Sequence, residues 1–480
     1  MFELENFSYI RQIYPFEWVM LGIYCILIFG LTFSRQVMKQ RENPLYRFFF
    51  WAVFVKIASS VIFCLIYIYY YEGGDTVSYY ETSRSLVNLS MKSLSSCFDV
   101  MTSKPTLAGF MTFDHETGYP WPYMYYDSQT FYVAKLIFPL ELLSFKSYLV
   151  TSVLLSWVSF FGAWKFFLML CRYFPGLERR IALAVLFVPS VLFWGSGILK
   201  DTITFSAVCW FIVSLDAALI APKKSRLAIL WLLLALYILL SIKPYILYSL
   251  LPGAIIWVGV VKMKSIRSKF IRVAFMPIVL LLSIGGGFAA LSLLGSTMGK
   301  FAVGKMLETA SVTQKDLKQA YYQGSSFDIG DFEPTVGGMI QKVPAAMAVG
   351  LFRPYVWEAR NLVMVASGLE NLVYLLLVAF LAWKIVSGPR KFFKVLNDFP
   401  VLTFLLCYTL FFSVMVGLST SNFGALVRFK IPFMSCYIAL LLILHYCLKG
   451  QPKTIRRPTY QQDFTKYPFN ESPELKSVSQ

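Results

Sequence analysis

Five cations stand at the ends of long apolar runs, where their chemistry suits an anion. They are Lys200, Lys243, Arg353, Arg428 and Lys430. A guanidinium matches two phosphate oxygens with parallel hydrogen bonds, and an ammonium acts as a compact point charge. Local pairing is the alternative for single residues, Lys200 with Asp201 or Arg353 with Glu358, as is extension towards lipid headgroups. Because the cations recur together, we expect them to bind a phosphate or pyrophosphate carried by a lipid.

Asp75 is the best candidate for a general base. It follows two glycines in EGGDTVSYYE (72–81), directly after an apolar run. A carboxylate held near lipid can have a raised pKa and can take a proton from a hydroxyl group. The alternative is that GGD is simply a turn. Catalysis, or binding of a metal ion, is therefore the first hypothesis for Asp75.

A second acidic group follows in the same polar segment. Asp114, His115 and Glu116 could assist Asp75 or bind a divalent cation through oxygen and imidazole. Solvation of an exposed loop explains them equally well. The sequence therefore leaves a cofactor open, with a divalent cation as the one candidate.

Aromatic residues accompany these groups and could stack on the apolar faces of a sugar. The stretch YPWPYMYY (119–126) is the densest example. The candidate sugar contacts are Tyr79, Trp121, Tyr355 and Trp357. An aromatic belt at a membrane interface explains the same residues.

The composition shows which elements must position these side chains. Hydrophobic residues make up 57% of the 480 residues and charged residues only 15%, with a mean hydropathy of +0.61. Soluble domains carry about a quarter charged residues, so lipid is the expected solvent. The net charge of +18 falls in short connections between apolar runs, which is typical of cytoplasmic loops and not of nucleic-acid binding.

The apolar runs predict an all-α integral membrane protein with about eleven spans of roughly twenty residues each. The predicted spans are 14–34, 48–71, 147–170, 181–198, 202–221, 227–242, 245–261, 273–295, 362–383, 400–418 and 431–448. Two large loops, 72–146 and 296–361, should lie outside. Each contains an apolar segment, 131–143 and 343–358, that we interpret as an interfacial or re-entrant helix.

Every second connection is rich in lysine and arginine, which predicts the orientation. The N-terminus should lie outside and the C-terminus in the cytoplasm of a multi-pass protein of the cell membrane. Residues 1–448 then form one transmembrane domain, and the polar tail 449–480 should be disordered and cytoplasmic.

Four segments resemble the GT-C type of polytopic membrane glycosyltransferases and the related bacterial surface-polysaccharide polymerases. EGGDTVSYY looks like their acidic loop motif, with Asp75 in the acidic position. PSVLFWGSGILKD (189–201) looks like a hairpin of uncharacterised members. GLFRPYVWE (350–358) and GALVRFKIPF (424–433) resemble later motifs, with Arg353 and Arg428 in the matching positions. The family's acidic loop usually follows the first span, whereas here it follows the second.

The resemblance implies transfer of a sugar from a polyprenyl phosphate or pyrophosphate to a glycan or protein acceptor, outside the cytoplasm. Asp75 would activate the acceptor, and the cations would bind the leaving phosphate. One alternative is a polymerase of lipid-linked repeat units. Another, from a different class, is a transporter or flippase of an anionic lipid, which predicts internal repeats and polar residues at the membrane midplane.

Overall fold

The computed structural model describes residues 12–221, 224–264, 327, 336–360 and 362–449. The secondary structure of these residues is helical, without a strand. The first ten helices are α1 (Pro15–Gln40), α2 (Phe49–Tyr69), α3 (Asp75–Lys92), α4 (Leu94–Thr102), α5 (Leu107–Phe110), α6 (Pro122–Tyr125), α7 (Ser128–Leu143), α8 (Tyr148–Tyr173), α9 (Glu178–Leu186) and α10 (Pro189–Trp194). The others are α11 (Lys200–Leu215), α12 (Arg226–Ile242), α13 (Pro244–Lys264), α14 (Val336–Phe352), α15 (Leu362–Ser387), α16 (Pro389–Asp398), α17 (Pro400–Ser419), α18 (Phe423–Phe429) and α19 (Ile431–Lys449).

Eight of the described helices are long and apolar enough to cross a membrane. They are α1, α2, α8, α11, α13, α15, α17 and α19. An all-α, multi-pass membrane protein is therefore confirmed. The count of eleven spans is not.

The three remaining predicted spans differ from one another. The segment 181–198 is two short helices, α9 and α10, because Pro189 lacks the amide donor that would continue the first helix. The segment 227–242 forms α12, which is apolar but has only 17 residues. The predicted span 273–295 lies outside the described residues.

Both segments that we interpreted as interfacial or re-entrant helices are largely helical. The segment 131–143 lies within α7, which packs against α3 and α8. The segment 343–358 covers the end of α14 and a short 3-10 turn. Helix α14 packs directly against α17, and Gly350 and Gly417 leave no room for a side chain at this contact. The close approach of the two backbones fixes α14 on the bundle.

The bundle has two ends, which differ in the helix termini that meet there. Helices α3, α11, α13 and α19 begin at one end, which we call the site end. At the other end, basic residues of separate connections bind neighbouring chain segments. Lys391 Nζ donates to the Leu448 carbonyl at 2.8 Å, and Arg172 pairs with Asp216. The basic connections thus meet at one end of the bundle, as an alternating topology requires.

Candidate functional site

A glycine turn places Asp75 at the site end. Glu72, Gly73 and Gly74 all have positive φ angles, of 53°, 134° and 111°. Gly73 N donates to the Tyr67 carbonyl at 2.9 Å, so the chain folds back on the end of α2. Asp75 is then the first residue of α3, where the helix dipole favours a carboxylate.

Three further segments bring charged side chains to Asp75. Arg428 Nη2 donates to Asp75 Oδ2 at 2.8 Å, and Arg428 Nε lies 3.8 Å from Asp201 Oδ2. Lys243 Nζ donates to Asp201 Oδ1 at 2.6 Å. The four residues, which we call the charge cluster, alternate in sign from Asp75 through Arg428 and Asp201 to Lys243.

The helix termini reinforce this arrangement. Asp75 and Asp201 stand in the first turns of α3 and α11, whose partial charge is positive. Lys243 caps the C-terminus of α12, and Arg428 lies in the last turn of α18, where the partial charge is negative. The two carboxylates therefore have a favourable local helix field as well as an opposite partner. Lys243 lies between the C-terminus of α12 and the N-terminus of α13, whose fields oppose each other, so its charge depends on Asp201.

Burial changes along the cluster. The side chains of Asp201 and Lys243 are only 1% and 8% exposed, Arg428 is 20% exposed and Asp75 is 47% exposed. Within the described chain, Asp201 Oδ2 and Arg428 Nε are buried without a hydrogen-bond partner. The cluster therefore presents one accessible carboxylate, and behind it a buried acceptor and a buried donor.

The electrostatics keep Asp75, Arg428 and Lys243 ionised. Burial alone would raise the pKa of Asp75, but the Arg428 charge and hydrogen bond outweigh it and hold this pKa below its usual value. Burial likewise opposes the charges of Arg428 and Lys243, yet their acidic neighbours raise both pKa values. The expectation of a raised pKa at Asp75 is therefore wrong, because Arg428 lies against it.

The local pair of Lys200 with Asp201, which was the alternative interpretation of the sequence, is not the contact that forms. Lys200 Nζ donates to Thr130 Oγ1 of α7 at 2.6 Å, and Asp201 turns instead to Lys243. Lys200 still contributes to the field that lowers the pKa of Asp75. It is therefore a cation beside the cluster, on the α7 side.

Arg353 adopts the local pairing with Glu358. Its Nε donates to both Glu358 oxygens, at 2.8 and 3.1 Å. The guanidinium also lies over the rings of Phe327 and Phe423, 4.7 and 5.4 Å from their centroids. Arg353 therefore pairs within its own segment, whereas Arg428 and Lys243 pair with carboxylates from distant parts of the chain.

Lys430 connects the Arg353 segment to the end of α18. Its buried Nζ donates to the Arg353 carbonyl at 2.5 Å. Burial lowers the pKa of Lys430 to about 7, against the opposing charge of Glu370. An anion arriving near Lys430 would favour its charged form.

The acidic triplet lies far from Asp75. Lys92, the last residue of α3, bridges Asp114 and Glu116, with its Nζ at 2.5 Å from Glu116 Oε2. The Lys92 hydrogen bond holds the pKa of Asp114 at about 2. Seventeen residues of helix separate Lys92 from Asp75, roughly 25 Å. His115 contacts the Tyr119 ring. Because of the distance along α3, the structure does not bring the triplet to the charge cluster.

The predicted sugar contacts fall into two places. Tyr79 is buried one helical turn after Asp75, and its pKa is raised by burial and by the Asp75 charge. Trp121 Nε1 donates to Glu81 Oε2 at 2.8 Å, which attaches the aromatic loop to the same part of α3. Tyr355 and Trp357 stack with ring centroids 4.8 Å apart, and Trp357 is 74% exposed beside Arg353.

Sequence reasoning missed the function of Asp201, because it treated this residue only as the partner of Lys200. The available signal was the i, i+1 geometry, since adjacent residues of a helix point in different directions and rarely pair. Among the described residues, no group of three histidine, cysteine or acidic side chains is placed to hold a metal ion.

Comparisons with known proteins return no relative. No family model matches the chain, and no curated protein or solved structure is similar enough to match it. The case for a function therefore rests on the geometry of the site.

Proposed function

We propose that this protein is a membrane glycosyltransferase that transfers a sugar from a polyprenyl phosphate or pyrophosphate to an acceptor hydroxyl at the extracytoplasmic face. The observation that carries the proposal is a half-exposed carboxylate, Asp75, in contact with the mostly buried guanidinium of Arg428. A guanidinium matches two oxygens of a lipid phosphate, and the carboxylate next to it can serve as a base.

In the chemical step, Asp75 acts on the acceptor and Arg428 acts on the leaving phosphate. The acceptor oxygen forms a bond to the sugar C1, and the bond from C1 to the phosphate oxygen breaks. The acceptor proton moves to Asp75, and the electron pair leaves with the lipid phosphate. Arg428, with Lys200 and Lys243 near it, stabilises the negative charge that grows on this phosphate.

The ion pair also makes the basicity of Asp75 depend on the donor. In the free protein Arg428 holds the pKa of Asp75 low, which makes a weak base. A phosphate that binds Arg428 bidentately competes with Asp75 for the guanidinium. The pKa of Asp75 then rises, and the carboxylate becomes a stronger base only when the donor is present.

Mass spectrometry tests this proposal. It compares the surface glycans and lipid-linked intermediates of a strain that lacks the protein with those of the wild type. A transferase of single sugars predicts a glycan that lacks one sugar and a build-up of its polyprenyl-linked donor. Restoration by the wild type, but not by Asp75→Asn, is the expected outcome. A polymerase predicts single repeat units on the lipid, and a flippase predicts a donor trapped in the cytoplasmic leaflet. Unchanged glycans and lipids would contradict the proposal.

A further inference from the structure

An apolar groove runs into the bundle beside the charge cluster. It lies between α7, α8, α11 and α12 and encloses about 250 Å³. Trp210 of α11 and Trp231 of α12 both line it, stacked with their ring centroids 4.5 Å apart. Its lining is otherwise aliphatic, apart from two serines, so the groove suits a hydrocarbon.

Lys200 stands at the head of this groove. Ile203, Ala207 and Trp210 line the groove and follow Lys200 by three, seven and ten residues, which places all four on one face of α11. Ten residues of helix give a depth of roughly 15 Å below Lys200. Thr130, which accepts the Lys200 hydrogen bond, belongs to α7, the helix that forms the opposite wall.

The groove also opens sideways. Val158 and Leu234 line it and are 50% and 45% exposed, on helices α8 and α12. Helix α8 is one of the eight candidate spans, so this opening faces the region of the lipid chains. A lipid could enter from the bilayer without passing through water.

The size of the groove limits the length of lipid chain that it can hold. A cavity of about 150 Å³ holds one benzene ring of six carbons, so 250 Å³ has room for roughly ten carbons. That is room for the start of one chain, about two isoprene units.

We propose that this groove binds the first isoprene units of a polyprenyl phosphate, with the phosphate at Lys200. The inference rests on the proposed function, because it assigns the site of the donor's chain. Since the chain comes from lipid, the groove gains little from the hydrophobic effect. Its contribution is to hold the phosphate beside Arg428 and the C1 atom beside Asp75.

A photoreactive polyprenyl phosphate tests the assignment in reconstituted vesicles. The probe carries a diazirine in its second isoprene unit, and labelled peptides are identified by mass spectrometry. We expect labelling of α11 and α12 around Ala207 and Leu234. Leu234→Trp fills the groove from its open side and should lower this labelling at least fivefold.

Leu233→Trp is the matched control, because Leu233 is 56% exposed on the same helix but does not line the groove. It should label like the wild type. Lys200→Gln should lower labelling at least threefold, and unlabelled polyprenyl phosphate should compete whereas phosphatidic acid should not. Equal labelling of the two tryptophan variants, or competition by phosphatidic acid, would overturn the assignment.

The same vesicles, supplied in addition with a labelled polyprenyl-linked sugar and an acceptor, separate this inference from the proposed function. Sugar transfer without groove labelling would refute the groove and leave the transferase intact. Groove labelling that depends on Lys200, in vesicles that make no glycosidic bond, would support the groove and refute the transferase.

Discussion

Arg428 donates a 2.8 Å hydrogen bond to Asp75, although the two residues are 353 positions apart in the chain. The contact joins the start of α3 to the end of α18 and leaves Asp75 half exposed. A partly buried cation is therefore held against a more accessible carboxylate. This relationship is the basis of the mechanism proposed above.

The buried pair of Lys243 and Asp201 should contribute strongly to stability. Lys243→Met leaves a carboxylate that is 1% exposed with only the more distant Arg428 as a partner. Breaking a buried pair costs about 3–5 kcal/mol, and we expect about 3 kcal/mol here because Arg428 remains. Thermal unfolding of the purified protein in detergent measures the loss.

Two controls distinguish burial from charge in that experiment. The double variant Lys243→Met with Asp201→Asn removes both charges and should recover most of the loss. Lys92→Met breaks an exposed pair at the far end of α3 and should hardly change the unfolding temperature. A Lys243→Met protein as stable as the wild type would show that the pair is not formed.

Glu141 of α7 should make stability depend on pH. Both of its carboxyl oxygens are buried without a hydrogen-bond partner in the described part of the chain, and burial raises the pKa to about 8 from 4.5. The folded protein then binds a proton that the unfolded chain releases, so this contribution is complete below pH 4.5 and is lost as the pH rises through 8.

Glu141→Gln keeps the shape of the side chain but has no proton to lose. Its unfolding temperature should exceed that of the wild type increasingly from pH 5 to pH 8. Parallel curves for the two proteins over this range would show that Glu141 is solvated or paired in the folded state.

The acidic triplet should not take part in the reaction. Asp114→Asn with Glu116→Gln removes both partners of Lys92, roughly 25 Å from Asp75 along α3. Sugar transfer in vesicles should stay within about twofold of the wild type. A loss comparable to that of Asp75→Asn would mean that a second acidic site contributes to the chemistry.

Much of the fold could be predicted from the sequence, because a span of lipid-facing helix requires about twenty apolar residues in a row. The break between α9 and α10 was missed, since composition does not register the effect of Pro189 on a backbone hydrogen bond. The attachment of α3 to α7 through buried polar residues was likewise invisible to hydropathy.

The cations of the site could be recognised singly, but their partners could not. Positive charge at the ends of apolar runs pointed to Lys243 and Arg428 without showing that Asp201 lies between them. Arg353 carried the same signal and yet pairs locally with Glu358. The distance along the chain does not determine whether a cation pairs with a nearby carboxylate, as Arg353 does, or with a distant one, as Arg428 does.

The predicted orientation is tested by cysteine labelling in a background without native cysteines. Glu116 and Arg390 are both exposed and belong to connections predicted to lie on opposite sides. A cysteine in place of Glu116 should react with an impermeant reagent in intact cells. One in place of Arg390 should react only after permeabilisation, and the reverse pattern would invert the topology.

The most direct test of the central claim is the rate of sugar transfer by Asp75→Asn in vesicles with a labelled polyprenyl-linked sugar. The amide keeps the size of the side chain but cannot take the acceptor proton, so we expect a loss of about 10²–10⁴ in rate. Donor binding should persist, because Arg428, Lys200 and Lys243 are unchanged. Near-normal transfer by Asp75→Asn, with the wild type active in the same vesicles, would contradict the catalytic role of Asp75.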